Sequence, residues 1–103
     1  MEPIRNVAVF PTANVYFDGR CVSHTIETVD GVRKSVGVIL PGTLTFATAA
    51  PERIEIVAGR CQVKPAGTDE WLTVGQGQEF SIAGDSSFDI QVEDTLHYVC
   101  HFG

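Results

Sequence analysis

The stretch LTFATAAPERIEIVAG, Leu44 to Gly59, alternates, turns at a proline and alternates again. Leu44, Phe46 and Thr48 fall on one side of a period of two, Thr45 and Ala47 on the other. After Pro51, Ile54 and Ile56 alternate with Glu55 and Val57. Successive side chains of a strand point to opposite faces, so the pattern predicts two strands meeting at a corner. A ring, a hydroxyl and a carboxylate (Phe46, Thr48 and Glu52) gather there, and Gly59 closes the segment.

The same period runs outward along the chain. Val36, Val38 and Leu40 alternate, as do Phe80 and Ile82, then Phe88, Ile90 and Val92, then Leu96, Tyr98, Cys100 and Phe102. No window carries a sustained helical stripe. Asp30-Gly31 predicts a hairpin turn between strands near Val22–Val29 and Val32–Leu40. Pro41-Gly42 is a second turn, and residues 65–69 form a longer hairpin loop before Trp71–Val74. Gly75-Gln76-Gly77 and residues 84–87 punctuate the last third. Many short strands at regular spacing predict an all-β sandwich or barrel, and a closed barrel removes exposed sheet edges. Residues 1–13 are expected as an arm or an extra edge strand, with the barrel domain at 14–103.

With 103 residues the chain holds one domain, and a 44% hydrophobic content suffices for a packed core. The net charge of -6 and scattered Lys and Arg give no basic stripe for a nucleic-acid polymer. No apolar run approaches the roughly 20 residues of a membrane span. The opening MEPIRNVAVFPT lacks the charged region and apolar core of a signal peptide, so a cytoplasmic protein is expected. Cys21, Cys61 and Cys100 are odd in number and widely spaced, which predicts buried thiols rather than a disulfide framework.

The corner resembles the first metal-binding motif of the cupin barrels, which runs glycine, His-x-His, three or four residues, Glu, six residues, Gly. Three residues separate Thr48 from Glu52 and six separate Glu52 from Gly59. Phe46 and Thr48 stand where the two histidines would be. Gly77 fits the start of the second cupin motif, Ala83 takes its proline's place and Phe88 its histidine's. A phenyl ring has no lone pair to give a metal, and one carboxylate cannot hold a transition ion alone. The expected pocket therefore makes organic contacts and uses no metal.

A longer series is more specific. Asn14-x-Tyr16-Phe17-x-Gly19, Ser35-Val36-Gly37-Val38, Gly42, Phe46-x-Thr48-x-x-Pro51-Glu52, Gly59, Trp71, Ser86-x-Phe88, Gln91-Val92, Thr95, Tyr98 and Cys100 occur in order. Together they resemble the pyrimidine/purine nucleoside phosphorylase family of small bacterial cupins, from about Asn14 to Phe102. The resemblance implies a cupin barrel that phosphorolyses purine and pyrimidine nucleosides to free base and pentose 1-phosphate, with no cofactor. Family habit and spare apolar strand surface also imply a homodimer. A metal-free module that binds a nucleoside or sugar without turnover is the alternative. A metal-dependent cupin oxygenase or isomerase is a second, opposed by the missing imidazoles.

Phosphorolysis needs a held phosphate, a fixed sugar and a stabilised leaving base. Arg33, Ser35 and Arg53 are the phosphate candidates, since phosphate calls for cations and hydroxyl donors. Both arginines read equally well as surface charges. Glu52 could bind ribose hydroxyls or stabilise a cationic sugar, against an ion pair with Arg53 or Arg60. Thr48 could bind phosphate or sugar, against a plain strand role. Phe46, Phe88 and Tyr98 share inward parity and could wall a flat base, against ordinary core packing. Gln91 has the opposite parity to Phe88 and suits a dimer surface, while Trp71 is expected to pack. His97 and His101 lie on one strand about 13 Å apart, too far to share an ion. His24 stands alone.

Overall fold

The computed structural model describes all residues, Met1–Gly103. Eleven strands follow in order: β1 Ala8–Val9, β2 Asn14–Tyr16, β3 Cys21–Glu27, β4 Arg33–Ile39, β5 Gly42–Ala47, β6 Glu52–Ala58, β7 Arg60–Pro65, β8 Leu72–Gly75, β9 Glu79–Ile82, β10 Ser87–Val92 and β11 Leu96–Phe102. A single 3-10 turn, Phe17–Gly19, follows β2. No helix is long and apolar enough to cross a membrane.

The strands form two antiparallel sheets. The larger runs β1-β3-β4-β11-β6-β9, with β2 also on the edge of β3; the smaller runs β5-β10-β7-β8. The chain crosses between them at the predicted punctuation. Pro41 takes it from β4 to β5, and residues 48–51 from β5 to β6. Gly75-Gln76-Gly77 and residues 83–86 mark two further crossings. This is the jelly-roll expected of a cupin barrel. Two crossings lean on each other, because Thr48 N–H donates to Ser86 O and Asp85 N–H to Ala49 O.

Alternation decides what lies between the sheets. Ile54 and Ile56, Phe80 and Ile82, Leu96 and Tyr98 enter from the larger sheet. Leu44, Val63, Val74, Phe88 and Ile90 enter from the smaller one. Ile56, Ile90 and Leu96 are almost fully buried, and each contributes about 1.5–3 kcal/mol relative to exposure. Cys21, Cys61 and Cys100 are free and buried, filling small volumes in the same core.

The hairpin at Asp30-Gly31 is wider than two residues. Pairing ends at Glu27↔Arg33, and Thr28 N–H to Val32 O with Gly31 N–H to Thr28 O closes the loop. Val29 and Val32 thus stand exposed outside the strands. At Gly37 the hairpin strands come very close: a Cβ there would lie 2.4 Å from Val22 O. At the sheet edge, Ala8 pairs with Glu27 and Asn14 with Ser23. Phe10 N–H donates to Thr25 O between them, so the N-terminal segment completes the edge of β3.

Candidate active site

The inner face of the larger sheet is apolar at one end and polar at the other. Register aligns Thr25 with Ser35, Ser35 with Cys100 and Cys100 with Ile54. The next row holds Ser23, Gly37, Tyr98 and Ile56. Polar contacts run along this strip. The Asn14 amide donates to Ser23 Oγ and Thr25 Oγ1, each at 3.3 Å. Tyr98 Oη lies 3.4 Å from Cys21 Sγ. Ser35 is the cross-strand partner of Cys100, and the Cys100 thiol donates to Glu52 Oε1 at 3.5 Å.

Two phenyl rings face this strip from the smaller sheet. Phe46 and Phe88 are cross-strand partners, stacked with centroids 5.5 Å apart and planes 20° from parallel. Phe80 meets Phe88 edge-on at 5.7 Å. Phe17 meets Phe46 edge-on at 5.2 Å, and Tyr16 follows at 6.4 Å. Phe17 and Asp18 adopt φ of 53° and 56°, a left-handed conformation that costs about 1–3 kcal/mol for residues other than glycine. That turn sets the Phe17 ring against Phe46.

A cavity of about 50 Å³ lies between ring wall and strip, lined by Phe46, Glu52, Phe88 and Tyr98 with Ile39, Ile54 and Ile90. Glu52 also borders an outer cleft of about 490 Å³, where Arg33, Arg53 and His101 stand. Burial raises the Glu52 carboxyl above its usual range, and the Cys100 thiol bond offsets part of the rise. Burial first, then the Glu52 charge, pushes the Cys100 thiol up to about 12. Burial likewise keeps the Tyr98 phenol protonated.

The structure thus gathers Glu52, Phe46, Phe88 and Tyr98 around one cavity and aligns Ser35 and Arg33 on the adjoining strip. Arg33 sits at its open end, 3.2 Å from Glu27 and 4.9 Å over the Phe10 ring. Arg53 differs. It follows Glu52 by one residue, so it points to the outer face, where Glu79 pairs with it at 2.7 Å. Thr48 is occupied in the corner: its hydroxyl donates to Ala83 O at 2.6 Å and accepts from Ser86 N–H at 3.1 Å. Glu52 forms no ion pair with Arg53 or Arg60. His101 pairs with Glu55 at 3.1 Å, and His24 Nδ1 lies 3.2 Å from Phe10 O. Asn14, Ser23 and Thr25 were given no role from sequence. Their signal was present as polar residues at the inward positions of β3, beside Cys21.

A cupin barrel raises the question of a metal. No three His, Cys, Asp or Glu side chains come together in the chain. The lumen offers Glu52 beside a protonated thiol and two phenyl rings, a donor set that does not fit a transition ion.

Comparison with known proteins bears on this arrangement. The family model for pyrimidine/purine nucleoside phosphorylase matches residues 11–102. A Cupriavidus metallidurans protein named pyrimidine/purine nucleoside phosphorylase is 59% identical over 103 residues, covering 100% of both chains. One of that name from Thiobacillus denitrificans is 60% identical over 104 residues, again covering 100% of both. A crystal structure of a protein of unknown function from Acinetobacter sp. ADP1 superposes with a TM-score of 0.96 at 45% identity, over 98% of each chain. Ectoine synthase from P. lautus, 17% identical, shares the fold alone with a TM-score of 0.69 over 82% of this chain and 64% of its own. A jelly-roll barrel with a ring-walled lumen and a carboxylate beside it, matched from end to end by these relatives, belongs to the pyrimidine/purine nucleoside phosphorylase family.

Proposed function

We infer that this chain phosphorolyses purine and pyrimidine nucleosides in the lumen between its two sheets. The observation that carries the reading is the convergence of Glu52 with Phe46, Phe88 and Tyr98 on one cavity, in a chain of this family. A phosphate oxygen bonds the anomeric carbon as the N-glycosidic bond breaks. The base leaves with the bond's electron pair and takes up a proton. Positive charge builds on the sugar in the transition state, as in glycoside hydrolysis. The Glu52 carboxylate stabilises that charge or fixes the ribose hydroxyls, and partial burial strengthens its field. Phe46 and Phe88 present flat apolar faces to the base. Stacking tolerates any base, which suits both purines and pyrimidines.

Arg33 and Ser35 share the inner face of β4 and receive the phosphate. Arg53 serves only as a rim charge, and Thr48 holds the corner. The chemistry needs no metal. The substrates belong to the cytoplasmic pool of nucleosides and phosphate. A homodimer through the outer face of the larger sheet is part of the reading, because the partly exposed Val36 and Val57 form an apolar patch there beside Met1 and Ile4.

Incubation with uridine and with adenosine, each with and without phosphate, tests the activity. Base release that requires phosphate is expected. Release independent of phosphate would make the protein a hydrolase, and binding without release would make it a nucleoside-binding module.

A further inference from the structure

We propose that Thr25, oriented by Asn14, and Ser35 form the floor of the phosphate subsite, a pair of neutral hydroxyl donors with Arg33 at its open end. The proposal rests on the phosphorolytic reading of the lumen and extends it to residues on β2 and β3.

Three features support it. The first is the direction of the hydrogen bonds. Asn14 Nδ2 donates to both Ser23 Oγ and Thr25 Oγ1. An amide nitrogen has two protons, and both are engaged. Each hydroxyl therefore accepts from Asn14 and keeps its own proton to give. Ser23 is buried in the same row as Tyr98. Thr25 donates to no protein group, and its side chain is only half buried. A hydroxyl whose acceptor side is already occupied presents a proton, which is what an oxyanion needs.

The second feature is placement. Thr25 and Ser35 are direct cross-strand partners, so their Cβ atoms are about 5 Å apart on one face. Arg33 lies two residues from Ser35 along β4, on the same face and about 7 Å away. Its only side-chain partners are Glu27 and the Phe10 ring, both at the surface. The exposed Arg33–Glu27 pair is worth at most about 1 kcal/mol, so an arriving phosphate dianion can draw the guanidinium inward.

The third is proximity to the reaction. Ser35 is the direct cross-strand partner of Cys100, and the Cys100 thiol donates to Glu52. A phosphate on the Thr25–Ser35 row is one thiol away from the carboxylate that faces the sugar. In a chain of net charge -6, these donors and Arg33 supply the local attraction that the protein's overall field lacks.

The test is to titrate inorganic phosphate into the protein by calorimetry and to measure KM for phosphate and for uridine separately. The variants are Thr25→Val, Asn14→Asp and the conservative Thr25→Ser, with Thr73→Val on the outer face of β8 as control. Thr25→Val keeps the shape and removes the donor, so phosphate binding should weaken about tenfold or more. KM for phosphate should rise equally and KM for uridine stay put. Asn14→Asp should weaken phosphate further by adding a negative charge. Thr25→Ser should behave like wild type. Unchanged phosphate binding and phosphate KM in Thr25→Val overturns the proposal. A loss confined to uridine overturns it too, by assigning the row to the sugar. Wild-type protein that binds phosphate yet releases no base would sink the phosphorylase reading instead, while the titration of Thr25→Val still decides the subsite.

Discussion

The Cys100 thiol donates to Glu52 Oε1 at 3.5 Å from a buried position on β11. The bond ties the carboxylate to the central strand of the larger sheet. Burial raises the proton affinity of Glu52, and the thiol bond offsets part of that rise because a donor favours the charged form.

Glu52→Gln should lower kcat by roughly 100-fold or more, the scale of removing one electrostatic stabiliser from a transition state. Its stability should move the other way. The Glu52 carboxyl is raised in the folded state. Its contribution is therefore fully present below the unfolded value of about 4.3 and lost as pH rises through the folded value. Thermal melts should show the glutamine variant more stable than wild type at pH 7, with the gap closing below about pH 4. A gap independent of pH would contradict the assignment.

Cys100→Ala removes the donor and leaves burial unopposed. The acid limb of the kcat/KM profile, set by ionisation of Glu52, should shift to higher pH. Cys100→Ser, which retains a donor, should shift it less. Coincident profiles for all three proteins would show that the thiol merely fills space.

Arg33 and Arg53 should separate cleanly. Arg33→Ala should raise KM for phosphate about tenfold, as expected for loss of a charge-assisted contact. Arg53→Ala should leave both Michaelis constants near wild type, because its guanidinium lies on the outer face with Glu79.

Thr48→Val should cost about 1–3 kcal/mol of stability, because Ala83 O and Ser86 N–H both lose their partner. In a domain of this size that is about 4–8 °C of Tm per kcal/mol. Activity at a temperature where the variant is folded should be retained. A fall in kcat with unchanged Tm would return Thr48 to the reaction.

Phe46→Leu keeps an apolar wall but removes the ring that stacks on Phe88. KM for adenosine and for uridine should rise together, each roughly tenfold, since base stacking is worth about 1–3 kcal/mol. The cavity of about 50 Å³ is well below the 300–1,000 Å³ of ordinary ligand pockets. The Phe46, Tyr16 and Phe17 rings must therefore shift for a nucleoside to enter.

The corner at Pro51 was legible because alternation on both sides of a proline has few other meanings. Parity then placed Phe46, Phe88 and Tyr98 on the lumen side, where the structure has them. Parity also separates Glu52 from Arg53, adjacent residues of one strand, yet charge chemistry alone had grouped them. Thr48 carried no local sign of its corner role, which depends on Ala83 and Ser86, far along the chain. Asn14, Ser23 and Thr25 resemble solvent-facing positions until β2 is known to lie along β3. That pairing follows from the path of the first loop, which periodicity does not describe.

Because the chain passes from one sheet to the other at nearly every corner, β4 and β11 become neighbours only after the whole smaller sheet has been threaded between them. Such distant partners must find each other across a long, floppy loop, so refolding from denaturant should take milliseconds to seconds rather than microseconds. Substitutions in β11 that leave equilibrium stability nearly untouched can still prolong the sticky, half-assembled interval in which aggregates begin.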